Sequence, residues 1–185
     1  MFENLKADYR RTSKGQGSLP MFLLKALHDA GFRAMVLYRV GRWCRLRGWN
    51  VAAGLCERVM RHACLCWIGT RAEIGPGLKI AHCTGLVIGA KTVIGRNCDV
   101  RQNTTFGANF HKTGPDGRQS PVLGDDVSVG AGAVIIGPVR IGAHCVIGAN
   151  AVVTRDIPDH MIAAGVPARV IKPRWAEDSG RGYES

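Results

Sequence analysis

Large apolar residues recur every six positions along most of this chain. Ile68, Ile74 and Ile80 open the series, Ile88, Ile94, Val100 and Phe106 continue it, and after an interruption it returns at Leu123, Val129, Ile135, Ile141, Ile147 and Val153. Gly follows many of these anchors, as at Gly69, Gly75, Gly89, Gly95, Gly130, Gly142 and Gly148. Four positions after an anchor there is usually a small or β-branched residue, as at Ala72, Thr84, Thr92, Cys98, Thr104, Val127, Ala133, Val139, Cys145 and Ala151. An amphipathic helix repeats at roughly 3.6 residues and a half-buried strand at roughly two, and a β-sandwich spaces its turns at about eight to twelve. A beat of six fits none of these. It is the beat of a parallel β-helix built from hexapeptides, each giving one short strand and one turn, three to a coil. The anchors point inward and stack from coil to coil, at roughly 1.5–3 kcal/mol per fully buried side chain. The expected fold is therefore mainly β, a parallel β-helix over residues 67–155.

Two interruptions of the beat are the natural places for function. Between Ile80 and Ile88 the step is eight, so two extra residues lie within Ala81-His82-Cys83-Thr84-Gly85-Leu86. Between Phe106 and Leu123 the step is seventeen. The polar, turn-rich segment 108–121 is expected to be ejected as a loop, and long loops on a rigid repeat commonly carry function. His82 lies in the first interruption and His111, Arg118 and Gln119 in the second.

Ahead of the repeat the pattern turns helical. From about Leu19 to Arg47 apolar residues fall mostly at three- and four-residue steps, with Gly31 expected to split the stretch into two helices. A further helix is expected from about Val51 to Cys66. Residues 1–18 read as loosely ordered, with Gly15-Gln16-Gly17-Ser18 among them. The organisation is thus a helical region at 1–66, the repeat at 67–155, and a C-terminal segment at 156–185 whose tail from Trp175 is expected to fray. The helices suit a lid on the first coil, a membrane-facing surface, or both on opposite faces.

Charge sharpens that picture. The net charge is +11, and residues 1–66 hold twelve Lys and Arg against four acidic residues, Glu3, Asp8, Asp29 and Glu57. A basic amphipathic region suggests an anionic bilayer or ligand, with a solvated positive face as the plainer alternative. Nucleic acid is not expected, since no recognised motif is present and the aromatics do not interleave with the charges. The seven cysteines are odd in number and no apolar signal segment precedes them, so they are expected to be reduced thiols of a cytoplasmic protein, with peripheral contact at the inner membrane. Cys64-Leu65-Cys66 is not a zinc spacing, and no metal is expected.

Three segments carry a resemblance to a known family. Ile80-Ala81-His82-Cys83-Thr84-Gly85-Leu86-Val87-Ile88-Gly89 resembles the active-site coil of the serine O-acetyltransferases. Ala163-Ala164-Gly165-Val166-Pro167-Ala168-Arg169-Val170-Ile171 is similar to their C-terminal signature, and Gly31 to Trp43 to the helix ahead of their repeat. The resemblance implies a left-handed β-helix, a homotrimer with active sites between subunits, and acetyl-CoA as co-substrate. It implies pantetheine contacts near Gly107, Ala131, Gly132 and Ala149, phosphate contacts at Arg169 and Lys172 with Arg174 beside them, and His82 as general base. An imidazole titrates near neutrality, which suits removal of an alcohol proton during attack on a thioester. A solvated turn histidine is the alternative for His82. His111, Arg118 and Gln119 become candidates for the acceptor.

The chain also departs from that family. Ala81 stands where the family has Asp, Trp67 where it has an acidic residue that orients the imidazole, and Gln119-Ser120 where it has Arg-His. A serine bound without these groups leaves charges unpaired, at a cost of several kcal/mol. From this the expected acceptor is a saccharide hydroxyl, as in the related exopolysaccharide acetyltransferases. A divergent serine acetyltransferase, using Asp99, Arg101 or Arg118 to hold serine, is the second reading, and a silent trimeric scaffold the third.

Overall fold

The structure is a computed structural model and describes residues 2–13 and 18–174. Four helices, α1 (Phe2–Thr12), α2 (Leu19–His28), α3 (Ala30–Leu46) and α4 (Asn50–Ala63), precede a parallel β-solenoid of five coils. One wall, sheet A, stacks β1 (Trp67–Ile68), β4 (Val87–Ile88), β7 (Thr105–Gly107), β10 (Val134–Ile136) and β13 (Val152–Val153). Sheet B stacks β2 (Glu73–Ile74), β5 (Val93–Ile94), β8 (Val122–Leu123) and β11 (Arg140–Ile141), extended by a bridge from Ile141 to Ile157. Sheet C stacks β3 (Lys79–Ala81), β6 (Asp99–Arg101), β9 (Ser128–Val129), β12 (Val146–Ile147) and β14 (Met161–Ala164), and ends on β15 (Arg169–Pro173), which runs antiparallel to β14.

The six-residue beat is the inner column of this prism. Every anchor from Ile68 to Val153 is at most 6% exposed. The second slot, two residues before each anchor, is equally buried at Ala72, Thr92, Cys98, Thr104, Val127, Ala133, Val139, Cys145 and Ala151. Thr84 is the exception to the sequence expectation. It is exposed, and Leu86, fully buried, fills its slot. The eight-residue step explains the exchange: two inserted residues shift the slot to the position counted back from Ile88. Gly after an anchor serves coil-to-coil approach. A Cβ on Gly95 would fall 2.4 Å from Gly124 O in the next coil.

The helices cap the first coil chemically as well as sterically. Strand N–H groups of that coil donate forward, as Glu73 N to Thr92 O and Gly75 N to Ile94 O at 2.9 and 2.8 Å. The carbonyls of Ala72 and Ile74, which in later coils accept from the coil before, have no such coil here. Helix α3 supplies the donors. Tyr38 Oη donates to Ala72 O at 2.8 Å, Arg42 to Ala72 O at 2.7 Å, and Arg39 to Ile74 O and Gly75 O at 2.6 Å each. Buried backbone groups are thereby satisfied where the sheet would otherwise end.

Residues 1–18 differ from expectation. Phe2–Thr12 is a helix, and its Asp8 and Tyr9 are buried. Asp8 accepts from Arg39 Nε at 2.9 Å and from the backbone N–H of Gly77 at 2.8 Å. The sequence shows an isolated acid in a polar run, and its partner lies thirty-one residues away, so no local pattern exposes it. Residues 1 and 14–17 of the expected loose segment and the tail from 175 lie outside the described residues.

The break between α2 and α3 falls at Asp29 rather than Gly31. The Asp29 side chain accepts from Phe32 N at 3.0 Å and so caps α3. Gly31 lies inside α3 for a different reason: a Cβ there would sit 2.3 Å from Ile80 O. Gly31→Ala is expected to push α3 off β3 and destabilise the protein by about 1–3 kcal/mol, read as a lowered urea midpoint at unchanged slope.

No helix among the described residues is long and apolar enough to cross a membrane. Helix α2 nevertheless exposes Leu19, Met21, Leu23, Leu24 and Leu27.

Candidate active site

The expanded corner lies between sheets C and A. The register pairs Ala81 with Arg101, and the backbone bond from Asn103 N to Thr84 O (2.9 Å) resumes the stacking after it. His82 and Cys83 are therefore the two inserted residues. The insertion pushes the backbone outward: His82 takes φ +56° and is exposed, while Cys83 turns inward and is buried. The coils above have a two-residue shorter corner, so His82 projects from the edge of the prism.

That edge carries several other expected site residues. Ala131 and Gly132 sit on the same C-to-A corner two coils on, and Ala149 on it one coil further, stacked so that a Cβ on Gly130 would fall 2.6 Å from Ala149 N. Gly132, with φ +70°, stacks directly on Asn150, leaving no space for a side chain. The small residues lie on the third and fourth coils of this edge, with Gln102 and Asn103 of the second coil between them and His82.

The remaining candidates lie elsewhere on the chain. Gly107 ends β7 on the far side of sheet A, roughly four to five residues or about 15 Å from the His82 edge. The ejected loop springs from there. His111 is exposed and its N–H donates to Asn109 Oδ1 at 3.0 Å. Arg118 pairs with Asp116 at 3.4 Å, and Gln119 Nε2 donates to Phe110 O at 3.2 Å. The Gln119 amide thus closes the loop on itself, and Ser120 is buried at its base. Arg169 is exposed on β15, with its guanidinium donating to Ala168 O at 3.0 Å, and Lys172 lies exposed on the same strand. Arg174 Nη1 donates to Asp126 O at 3.1 Å. One chain therefore presents His82 on one edge of sheet A and the loop on the other.

Outside sheet C, Asp99 and Arg101 stand on the face of β6 opposite buried Val100, one coil from Ala81 and His82. Asp99 accepts from Arg11 at 2.7 Å. Beneath the site Trp67 donates its indole N–H to Glu57 Oε2 at 3.4 Å. Glu57 also accepts from Thr70 Oγ1 at 2.6 Å and Thr70 N at 2.8 Å. Burial pushes the Glu57 carboxyl up, but the Thr70 and Trp67 donors and the Arg45 guanidinium outweigh it and hold it below the ordinary glutamate range.

Comparison with known proteins places this arrangement. The bacterial transferase hexapeptide (six repeats) model matches residues 120–155. A serine acetyltransferase of Synechococcus elongatus is 34% identical over 171 residues, covering 92% of this chain and 69% of the relative. The chain belongs to the serine acetyltransferase family. It spans 54% of the Escherichia coli serine acetyltransferase, to which it is 35% identical over 154 residues. The Neisseria gonorrhoeae serine acetyltransferase solved in complex with serine superimposes with TM-score 0.81 at 29% identity, over 92% of this chain and 69% of that one. A serine acetyltransferase solved in complex with CoA gives TM-score 0.78 at 28% identity, over 91% and 69%.

These relatives overturn the expectation of a saccharide acceptor and of closeness to exopolysaccharide enzymes. That expectation counted the missing family charges at Trp67, Ala81, Gln119 and Ser120 as a lost serine site. The second reading names Asp99, Arg101 and Arg118 as replacements; the register of β3 and β6 puts Asp99 and Arg101 on one outer face beside the His82 corner, with Asp99 paired to Arg11.

Proposed function

We propose that this member of the serine acetyltransferase family transfers the acetyl group of acetyl-CoA to the hydroxyl of serine. The observation that carries the reading is the His82 corner: an exposed imidazole on an inserted two-residue bulge, on the same edge as Ala131, Gly132 and Ala149. His82 takes the hydroxyl proton as the serine oxygen attacks the thioester carbonyl. The tetrahedral intermediate collapses, the carbon–sulfur bond breaks, and the imidazolium returns the proton to the CoA thiolate. Arg101 holds the serine carboxylate and Asp99 the ammonium. The pantetheine arm follows Ala131, Gly132 and Ala149, and Arg169 and Lys172 meet the phosphates.

A homotrimer belongs to the same proposal. In one chain the loop with His111, Arg118 and Gln119, and Gly107 at its root, stand across sheet A from His82. Packing that edge of one copy against the His82 edge of the next joins both sets in one cleft. The outer row of sheet A, which includes Trp67, Val87, Val134 and Val152, is half-buried and mostly apolar, as a subunit contact requires.

Release of the CoA thiol from acetyl-CoA by the purified protein is expected with L-serine, with O-acetylserine as the product identified by mass. Binding of acetyl-CoA without any serine-dependent release would overturn the reading.

A further inference from the structure

Helix α2 is apolar on both of its sides. Phe22 turns toward the protein, its ring centroid 5.5 Å from that of Tyr9 and 5.1 Å from that of Phe32. Leu19, Leu23 and Leu27 follow at four-residue steps on the outward side, with Leu24 next to them, and these four are 57% to 70% exposed. A helix at a water-facing surface carries polar and charged residues on its outer side. Here the polar side chains of α2 are Lys25, which Asp29 holds at 3.0 Å, and His28 at the end of the helix. Contiguous exposed apolar surface of this kind marks an interaction site.

The surface continues onto α4. The Arg33 guanidinium donates to Leu27 O at 2.6 Å and to Ala63 O at 3.0 Å, so the last turns of α2 and α4 meet at one side chain. Helix α4 exposes its own stripe at four-residue steps, Val51, Leu55 and Val59. Arg58, Arg61 and His62 beside that stripe are exposed as well. The one acid in either helix is Glu57, and it is turned to the solenoid, where it accepts from Thr70 and Trp67. The exposed apolar surface is thus flanked by charges of one sign.

That combination selects the occupant. In a two-fold contact with a second copy the same face meets itself, so Arg58 and Arg61 would approach their own counterparts. A bilayer with anionic headgroups suits both parts of the surface: the leucines reach the acyl boundary and the arginines meet the headgroup phosphates. Ten residues of helix are about 15 Å long, which fits a helix lying in the interface and not one crossing it.

We propose that the outward faces of α2 and α4 form a docking surface for an anionic lipid bilayer, with α2 lying among the headgroups and the solenoid standing in water. The test sediments the purified full chain with vesicles of phosphatidylcholine alone and with vesicles of phosphatidylcholine mixed with phosphatidylglycerol. Binding to the anionic vesicles is expected to be about tenfold or more stronger than to the neutral ones and to weaken as salt rises. The double variant Leu23→Ser, Leu27→Ser is expected to lose about tenfold or more of that binding. The double variant Arg58→Gln, Arg61→Gln is expected to lose about tenfold and to flatten the salt dependence. All four side chains are exposed, so an unchanged melting temperature is expected in both variants. No binding of the parent at low salt, or binding that survives the leucine substitutions at full strength, overturns the proposal. A parent assembly that sedimentation velocity shows to be larger than that of the leucine variant assigns the face to a second copy and overturns it too. Vesicle binding needs no turnover, so a chain inactive on serine tests this surface equally well.

Discussion

His82→Ala lowers kcat/KM for acetyl transfer by about 10²–10⁴-fold, the usual contribution of a positioned general base, while the melting temperature stays where it was. The two halves of this expectation come from one geometry. The His82 side chain is exposed on an inserted bulge and fills no part of the anchor column, so its removal takes nothing from the core. The backbone at φ +56° is the conformation that asparagine tolerates best among residues with a Cβ, so His82→Asn preserves the corner while removing the imidazole. Both variants are expected to bind acetyl-CoA as the parent does and to fail in turnover. His111→Ala, on the loop, is expected to raise the KM for serine more than it lowers kcat. Retained turnover in both His82 variants would remove this residue from the chemistry.

Asp8→Ala costs about 3–5 kcal/mol of folding stability, the range for stripping one partner from a buried ion pair. Asp8 is fully buried and Arg39 is 4% exposed. The carboxylate accepts from Arg39 at 2.9 and 3.1 Å and from Gly77 N and Leu78 N at 2.8 and 3.2 Å. Arg39 in turn donates to Ile74 O and Gly75 O. Removing the carboxylate leaves a guanidinium and two backbone N–H groups in a dry site, so the loss exceeds that of one surface salt bridge. Arg39→Met orphans the carboxylate and the two carbonyls and is expected to cost as much. The double variant is expected to cost clearly less than the sum, because each single change strands a charge that the double change removes. Urea titration of the four proteins measures the coupling, and a single-variant loss under about 1 kcal/mol would show that water reaches the pair.

The repeat was legible because its period is global. Thirteen anchors named from spacing alone, Ile68 to Val153, all lie in the column, since each coil repeats the same inward position and one miscount would not have propagated. The interruptions were legible for the same reason, as departures from a fixed step. What spacing could not supply was pairing between distant residues. Asp8 looked like one acid in a polar start because Arg39 meets it only after α1 docks. Thr84 looked like a slot because the count ran forward from Ile80, whereas the bulge makes Leu86 the filler. Cys83 was read apart from Cys64, although its thiol donates to Cys64 O where the inserted corner meets the end of α4. Asp99 and Arg101 were named as candidates, but their place beside His82 was not legible, since Ala81 and Arg101 are neighbours through strand register and twenty residues apart in the chain.

The two ends of the prism are finished differently, and this limits what the chain can build. At the start, side chains of α3 occupy the carbonyls that a preceding coil would need. At the other end, β15 folds back against the direction of every strand before it. A second molecule offering its first rung would find neither a vacant acceptor row nor a parallel template, so the described ends of the prism do not template axial growth into fibres.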